Sequence, residues 1–271
     1  MNFHPDKCKV VSVANRLPPL LGILPNIQYF YSLGDNILDY VDCEKDLGVD
    51  INPTLNFGEQ CERLLAKANQ QFGLTKRICY FVNDIKRKRA LYLSLVRSQF
   101  EHCSPIWRPL CQTMIEKFEN FQKKCIKWIL SEEPLHYCYD TYIRKCRQSN
   151  ILPLIKRFEF NDLVLFYKVV NSLIPLRLPA YLEFFDGNSR LRSCHLDTLC
   201  LVSTIHPKAN AFAATTKNSA LNKSFFYRTH LLWNKLPFEA RCANSLSIFR
   251  TKLLKILWDS IVMDEASDNE S

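Results

Sequence analysis

Phe57-Gly58-Glu59-Gln60-Cys61-Glu62-Arg63-Leu64-Leu65-Ala66-Lys67-Ala68-Asn69-Gln70-Gln71-Phe72 is the stretch at which the chain turns helical. Phe57, Cys61, Leu64, Leu65, Ala68 and Phe72 recur at steps of three or four. That spacing gathers them into one stripe, while Glu59, Glu62, Arg63 and Lys67 fall on the other side. Upstream of Pro53 the reading is different. Cys8 to Val13 is a short β-prone run that Pro18, Pro19 and Pro25 break. Ile27 to Leu33, the turn signal Gly34-Asp35-Asn36, and Ile37 to Val41 predict a hairpin, and Asp46 to Ile51 predicts a further strand.

Downstream, helical patterns follow one another. Asn83-Asp84 can cap a helix whose first turns hold Lys86, Arg87, Lys88 and Arg89 and whose body holds Leu91, Tyr92, Leu95, Val96 and Phe100. Adjacent cations near a helix N-terminus oppose the macrodipole, at about 0.3–1 kcal/mol each, and a phosphate backbone lying there would offset the cost. Ser104-Pro105 to Pro109 interrupts the pattern, which resumes from Gln112 to Leu130 and ends at Glu132-Glu133-Pro134. Tyr137 to Cys146 is a shorter candidate, and Leu154 to Leu173 the most apolar one, closed by Pro175 and Pro179. From there to about residue 222 the sequence predicts a long loop or short strands. Asn244 or Ser245 caps a last helix carrying Leu246, Phe249, Leu253, Ile256, Leu257 and Trp258.

With 271 residues, 47% apolar and 12% aromatic, the chain can bury a sizeable core. Six glycines and no phosphate-loop or dinucleotide motif exclude the usual Gly-rich nucleotide sites. Twelve cysteines form no Cys-x-x-Cys pair, and the first residues carry no secretory apolar region, so the thiols are expected reduced in an intracellular protein, cytoplasmic or nuclear. Cys194, His195, Cys200 and His206 are the best metal candidate, but too loosely spaced for a zinc knuckle, and no metal site is assigned. No apolar run reaches membrane-spanning length. Charge is divided unevenly. Residues 1 to 60 carry a net −4, residues 61 to 150 +9, residues 151 to 260 +8 and residues 261 to 271 −4, so the excess lies in the helical segments. A phosphate-binding surface needs it there, although a solvated basic face would look the same.

Five strings occur in a telling order: Lys7-Cys8-Lys9-Val10; Lys45-Asp46-Leu47-Gly48-Val49-Asp50; Ala90-Leu91-Tyr92-Leu93-Ser94-Leu95-Val96-Arg97-Ser98; Ile106-Trp107; and Arg228-Thr229-His230-Leu231-Leu232-Trp233-Asn234-Lys235-Leu236-Pro237. Together they resemble the C-terminal end of jockey-like non-LTR (LINE-type) retrotransposon polyproteins, over about residues 1 to 258. The last string is the most distinctive. The resemblance implies an α+β, predominantly α-helical chain: a palm remnant with a β-hairpin and primer-grip strand over 1–52, a helical thumb over 53–150, a helical C-terminal domain with a long loop over 151–260, and an acidic disordered tail over 261–271.

In such enzymes the Leu-Gly-Val turn, here Leu47, Gly48 and Val49, positions the primer end, and thumb helices follow the duplex through its phosphates. Lys67, Lys76, Arg77, Lys86, Arg87, Lys88 and Arg89 are the expected phosphate contacts. Tyr92 or Trp107 could stack on bases, though at helical spacing core packing is their commoner role. Lys7 would take the place of the family's palm lysine.

Catalysis is not expected of this chain alone. Two-metal polymerisation needs carboxylates that hold Mg²⁺ ions about 3.5–4 Å apart. The family supplies them partly from an Asp-Asp pair, absent from this sequence, so fingers and catalytic palm are expected upstream of Met1 and Mg²⁺ only in the complete polymerase. Asp35, Asp39, Asp42, Asp46 and Asp50 are the only dense carboxylates, and Asp35 falls in a turn. None of the six histidines stands in H-E-x-x-H, and Glu101-His102 has no recognisable nucleophile. Implied partners are RNA, RNA:DNA hybrid or DNA, bound without sequence preference, and the missing polymerase portion; no membrane and no cofactor are implied. The rival readings are a domesticated helical protein-interaction module and a truncated reading frame without function.

Overall fold

A computed structural model describes residues 8–12, 30–132, 138–184, 200–203 and 224–268. The chain is predominantly helical with a few short strands, consistent with the α+β class. It divides into two compact units, Met1–Ala66 and Lys67–Ser271.

In the first unit, strands pair two by two. β1 (Lys9–Val10) lies parallel to β4 (Asp39–Tyr40), and β2 (Ser32–Leu33) runs antiparallel to β3 (Asn36–Ile37) across Gly34-Asp35, as the turn signal predicts. β5 (Glu44–Asp46) pairs antiparallel with β6 (Val49–Ile51). The single strand expected over Asp46–Ile51 is therefore replaced by a hairpin. Its two loop residues, Leu47 (φ 46°) and Gly48 (φ 88°), both have positive φ, the geometry whose twist matches two-residue hairpins. Gly48 adopts it without steric cost, and Leu47 follows at about 1–2 kcal/mol.

α1 (Gly58–Ile78) opens after an asparagine turn in which Asn52 Oδ1 accepts from Asn56 N (3.0 Å) and Asn56 Oδ1 accepts from Gly58 N (3.1 Å). Cys61, Leu65, Ala68 and Phe72 are buried, as the stripe predicts. Gln60, also buried, donates to Gly48 O (3.3 Å) and accepts from Asp50 N (3.4 Å), and Arg63 pairs with Asp50. These bonds tie the first turns of α1 to the hairpin, so the division between units falls inside α1 and not at residue 52.

In the second unit α2 (Ile85–Leu91), a π-helical segment Tyr92–Arg97 and α3 (Ser98–Glu101) run on without a break. Asp84 caps α2 by accepting from Arg87 N (3.0 Å), as read from the sequence. The π segment widens the turn, because its bonds span five residues rather than four. Steps of four then stay in register: Tyr92, Val96 and Phe100 are fully buried while Leu95 is turned outward. α4 (Ser104–Trp107) fills the interruption at Pro105, and α5 (Gln112–Leu130) has the bounds predicted. α6 (Tyr139–Ser149) starts and ends slightly later than expected. α7 (Leu154–Val170) stops before Leu173, where Ser172 turns left-handed (φ 53°).

β7 (Leu182–Phe184) and β8 (Leu201–Ser203) pair antiparallel within the stretch expected to be loop or short strands. Helices at Phe225–Asn234 and Phe238–Arg241 follow, where the sequence reading placed none. The last helix, Leu246–Asp268, is capped by Ser245, whose Oγ accepts from Ile248 N (3.3 Å). It overturns the disordered tail as far as Asp268. Leu253, Leu257 and Ile261 recur at steps of four and are all buried, which carries the helix past Trp258.

α7 joins two aromatic clusters. Around its first half, Phe158 meets Trp107 (5.6 Å) and Phe118 (5.7 Å), and Phe118 meets Phe100 (5.0 Å). Around its second half, Phe166 meets Trp233 (5.5 Å) and Tyr167 stacks on Phe249 (4.3 Å). Because one helix serves both clusters, the second unit continues through the boundary expected at residue 150.

Candidate nucleic-acid interface

The expected phosphate contacts separate into two groups. Lys67, Lys76 and Arg77 on α1, and Lys86 and Arg87 on α2, are exposed. Lys76 Nζ lies 5.6 Å from the centre of the Phe72 ring, which holds its ammonium near the end of the helix. Arg87 stays within 4.0 Å of the capping Asp84 but remains largely in solvent.

Lys88 departs from the expectation. It is buried, donates to Ser131 Oγ (2.7 Å) and lies 5.5 Å from the centre of the Trp128 ring. The cause is periodic: Lys88 stands four residues before Tyr92 on the same inward stripe, so one of four adjacent cations had to face the core. That signal was available in the sequence. Arg89 is half-buried and donates to Asn150 O through Nε (3.3 Å) and Nη2 (3.0 Å), joining α2 to the end of α6. Lys86 and Arg89 line an open groove of about 800 Å³ with Asn83, Gln148 and Asn150.

Tyr92 and Trp107 are core, not stacking platforms. Tyr92 Oη donates to Gln122 Oε1 (2.9 Å), and Trp107 Nε1 donates to His102 O (2.7 Å). Gln122 donates in turn to Tyr142 Oη (3.0 Å) and Leu152 O (3.0 Å), while Glu119 accepts from Tyr142 and from Ile155 N (2.7 Å) at the start of α7. Burial raises the Glu119 carboxyl above its ordinary range, against the lowering effect of those bonds. Every polar atom in this network has a structural task.

The sequence reading passed over Tyr80 and Phe81. They stand between α1 and α2, 81% and 69% exposed, edge to face at 5.7 Å and 88°. Leaving rings of this size in water forgoes about 1.5–3 kcal/mol each. Ile78 and Ile85 beside them are also exposed. The available signal was an adjacent aromatic pair outside both apolar stripes, flanked by Lys76-Arg77 and Lys86-Arg87, with no acid from Leu74 to Asn83.

Leu47, Gly48 and Val49 form the β5–β6 corner: Leu47 projects into solvent and Val49 is buried. The dense carboxylates are partly engaged by cations, Asp39 with Lys9 (2.8 Å) and Asp50 with Arg63. Lys9 holds the Asp39 carboxyl below its ordinary range. No group of three or more His, Cys, Asp or Glu residues suited to a metal occurs among the described residues. Of the metal candidate, Cys200 is described and buried, whereas Cys194, His195 and His206 lie outside the described residues, as does Lys7. No helix among the described residues is long and apolar enough to cross a membrane.

The distinctive string from Arg228 to Pro237 is structural. Arg228 and Arg108 both clasp the fully buried Asp162: Arg108 Nη1 lies 2.8 Å and Arg228 Nε 3.1 Å from Oδ2. Asn234 donates to Leu201 O (2.8 Å) and accepts from Leu201 N (2.9 Å), holding β8 as a strand neighbour would. Arg241 Nη1 donates to Leu236 O (2.7 Å) and Asn234 O (3.0 Å), closing the end of the helix that carries the string. Thr229, His230 and Trp233 are buried, and burial lowers His230 below its ordinary value. No family model, curated protein or solved structure matches the chain.

Proposed function

We propose that the chain binds nucleic acid without sequence preference, by pairing its cations with phosphates, in the manner of the thumb of a jockey-like non-LTR retrotransposon reverse transcriptase, and does not itself polymerise. One observation carries the reading: Lys76 and Arg77 at the end of one helix and Lys86 and Arg87 at the start of the next are all exposed, with Lys67 exposed midway along the first. Such cations displace counterions from a phosphate backbone, which makes affinity fall steeply with salt. Lys88 has no part in it, and Arg89 contributes only the donors that Asn150 leaves.

Affinity for duplex RNA, RNA:DNA hybrid or DNA should be on the order of micromolar at low salt. Fluorescence anisotropy across a salt series tests it. The quadruple variant K76E/R77E/K86E/R87E should lower affinity and flatten the slope of log K against log salt, by about 0.7–0.9 for each phosphate no longer neutralised. Lys88→Met should leave that slope unchanged. An equal slope in the quadruple variant and the parent would end the phosphate-binding reading.

A helical protein-interaction module is the rival, favoured by the exposed Tyr80 and Phe81, and would bind its partner with little dependence on salt. Primer extension addresses the catalytic half of the proposal. With Mg²⁺ or Mn²⁺, a primed RNA template and deoxynucleotides, the chain should extend nothing. Extension that disappears on changing Asp46 and Asp50 to Asn would overturn the assignment.

A further inference from the structure

Resting on the phosphate-binding reading, we infer that the Tyr80-Phe81 connection is a base-stacking platform that gives the interface a preference for unpaired strand over duplex. The two rings are the most exposed aromatic pair of the described second unit, and they share one short connection closed by a Val82 N to Cys79 O bond (3.0 Å). Their edge-to-face packing at 88° lets each ring brace the other while leaving ring surface open to solvent.

What surrounds them selects the occupant. Lys76 and Arg77 precede the pair, Lys86 and Arg87 follow it, and all four are exposed. No acidic residue intervenes before Asp84, which is committed to capping α2. An aromatic face between two pairs of cations complements a ligand that alternates flat apolar rings with anions, which describes single-stranded nucleic acid. A duplex offers the same phosphates but keeps its bases stacked inside, so the rings gain nothing from it except at an end or a mismatch. Cations thus supply affinity for both forms, and Tyr80 and Phe81 distinguish between them.

The test compares labelled oligouridylate of about 16 nucleotides, within the site size of common single-strand binders, with a blunt RNA duplex of the same length, using the full chain. The parent should bind the single strand more tightly. Y80A/F81A should weaken binding about tenfold or more on the single strand, with duplex affinity and salt slope unchanged, and Y80W/F81W should restore the preference. Equal weakening on both forms, or none on either, would overturn the platform while leaving the phosphate reading intact. Absence of binding to both forms at low salt would remove the phosphate reading and the platform with it. Vesicles of anionic phospholipid form the control arm. Ring-dependent vesicle binding without oligonucleotide binding would assign the connection to a membrane surface and end the proposal.

Discussion

Asp162 shows what a single residue can hold. Its carboxylate is sealed from solvent and shared by Arg108 and Arg228, from a loop before α5 and from the Phe225–Asn234 helix respectively. A fully buried carboxylate is tolerated because two half-buried guanidiniums pair with it, and its removal takes this acidic partner from Arg228 and leaves Arg108 with only the longer contact to Glu159 (3.6 Å). Asp162→Ala should therefore cost about 3–5 kcal/mol, read as a lowered urea midpoint at unchanged denaturant slope. A loss below about 1 kcal/mol, the scale of an exposed pair, would mean that water reaches the cluster. In sequence, Asp162 is an acid inside an apolar helical run, and Arg228 opens a string notable only for its resemblance to a family. Neither position says that the two meet across 66 residues.

Among elements, β8 depends on a side chain more than on its strand partner's length. It has three residues, and Asn234 satisfies both the N–H and the C=O of Leu201. Asn234→Ala would leave both backbone groups without that partner in a buried place, at about 1–3 kcal/mol. Hydrogen exchange should then quicken at Leu201 and its β7 neighbours while amides of the Phe225–Asn234 helix keep their protection. Unchanged exchange at Leu201 would show that pairing with β7 suffices. The stripe through Lys88, Tyr92, Val96 and Phe100 makes a related point. The step of four from Lys88 to Tyr92 is ordinary helical spacing and visible in sequence, whereas Leu95, three residues after Tyr92, is turned outward by the wider π segment.

At the scale of the molecule, each compact unit has its own organisation. The second is built on the aromatic clusters at the two halves of α7, and none of those rings comes from residues before Pro53. The first rests on strand pairs of two or three residues, with Ile37 and Leu47 in solvent. Isolated two-stranded ribbons are marginal in water. A chain starting at Pro53 should accordingly keep its helical circular dichroism and a cooperative thermal transition, and should aggregate less than the full chain. Loss of cooperativity on that truncation would show that the hairpins stabilise the helical unit.

Sequence by itself determined the helical character after Pro53, the stripe of α1, the Asp84 cap, the bounds of α5 and the accumulation of positive charge, because each follows from local spacing or from counting. Periodicity, capping and charge act over a few residues, so they are written in order along the chain. The folded chain alone shows what receives the inward-facing Lys88, that Tyr92 and Trp107 are core while Tyr80 and Phe81 are not, and that the Arg228–Pro237 string is a latch. Those outcomes depend on what lies opposite each side chain, Trp128 and Ser131 for Lys88, Asp162 for Arg228, Leu201 for Asn234. Such partners stand tens of residues away, and burial is a property of the pair rather than of either residue.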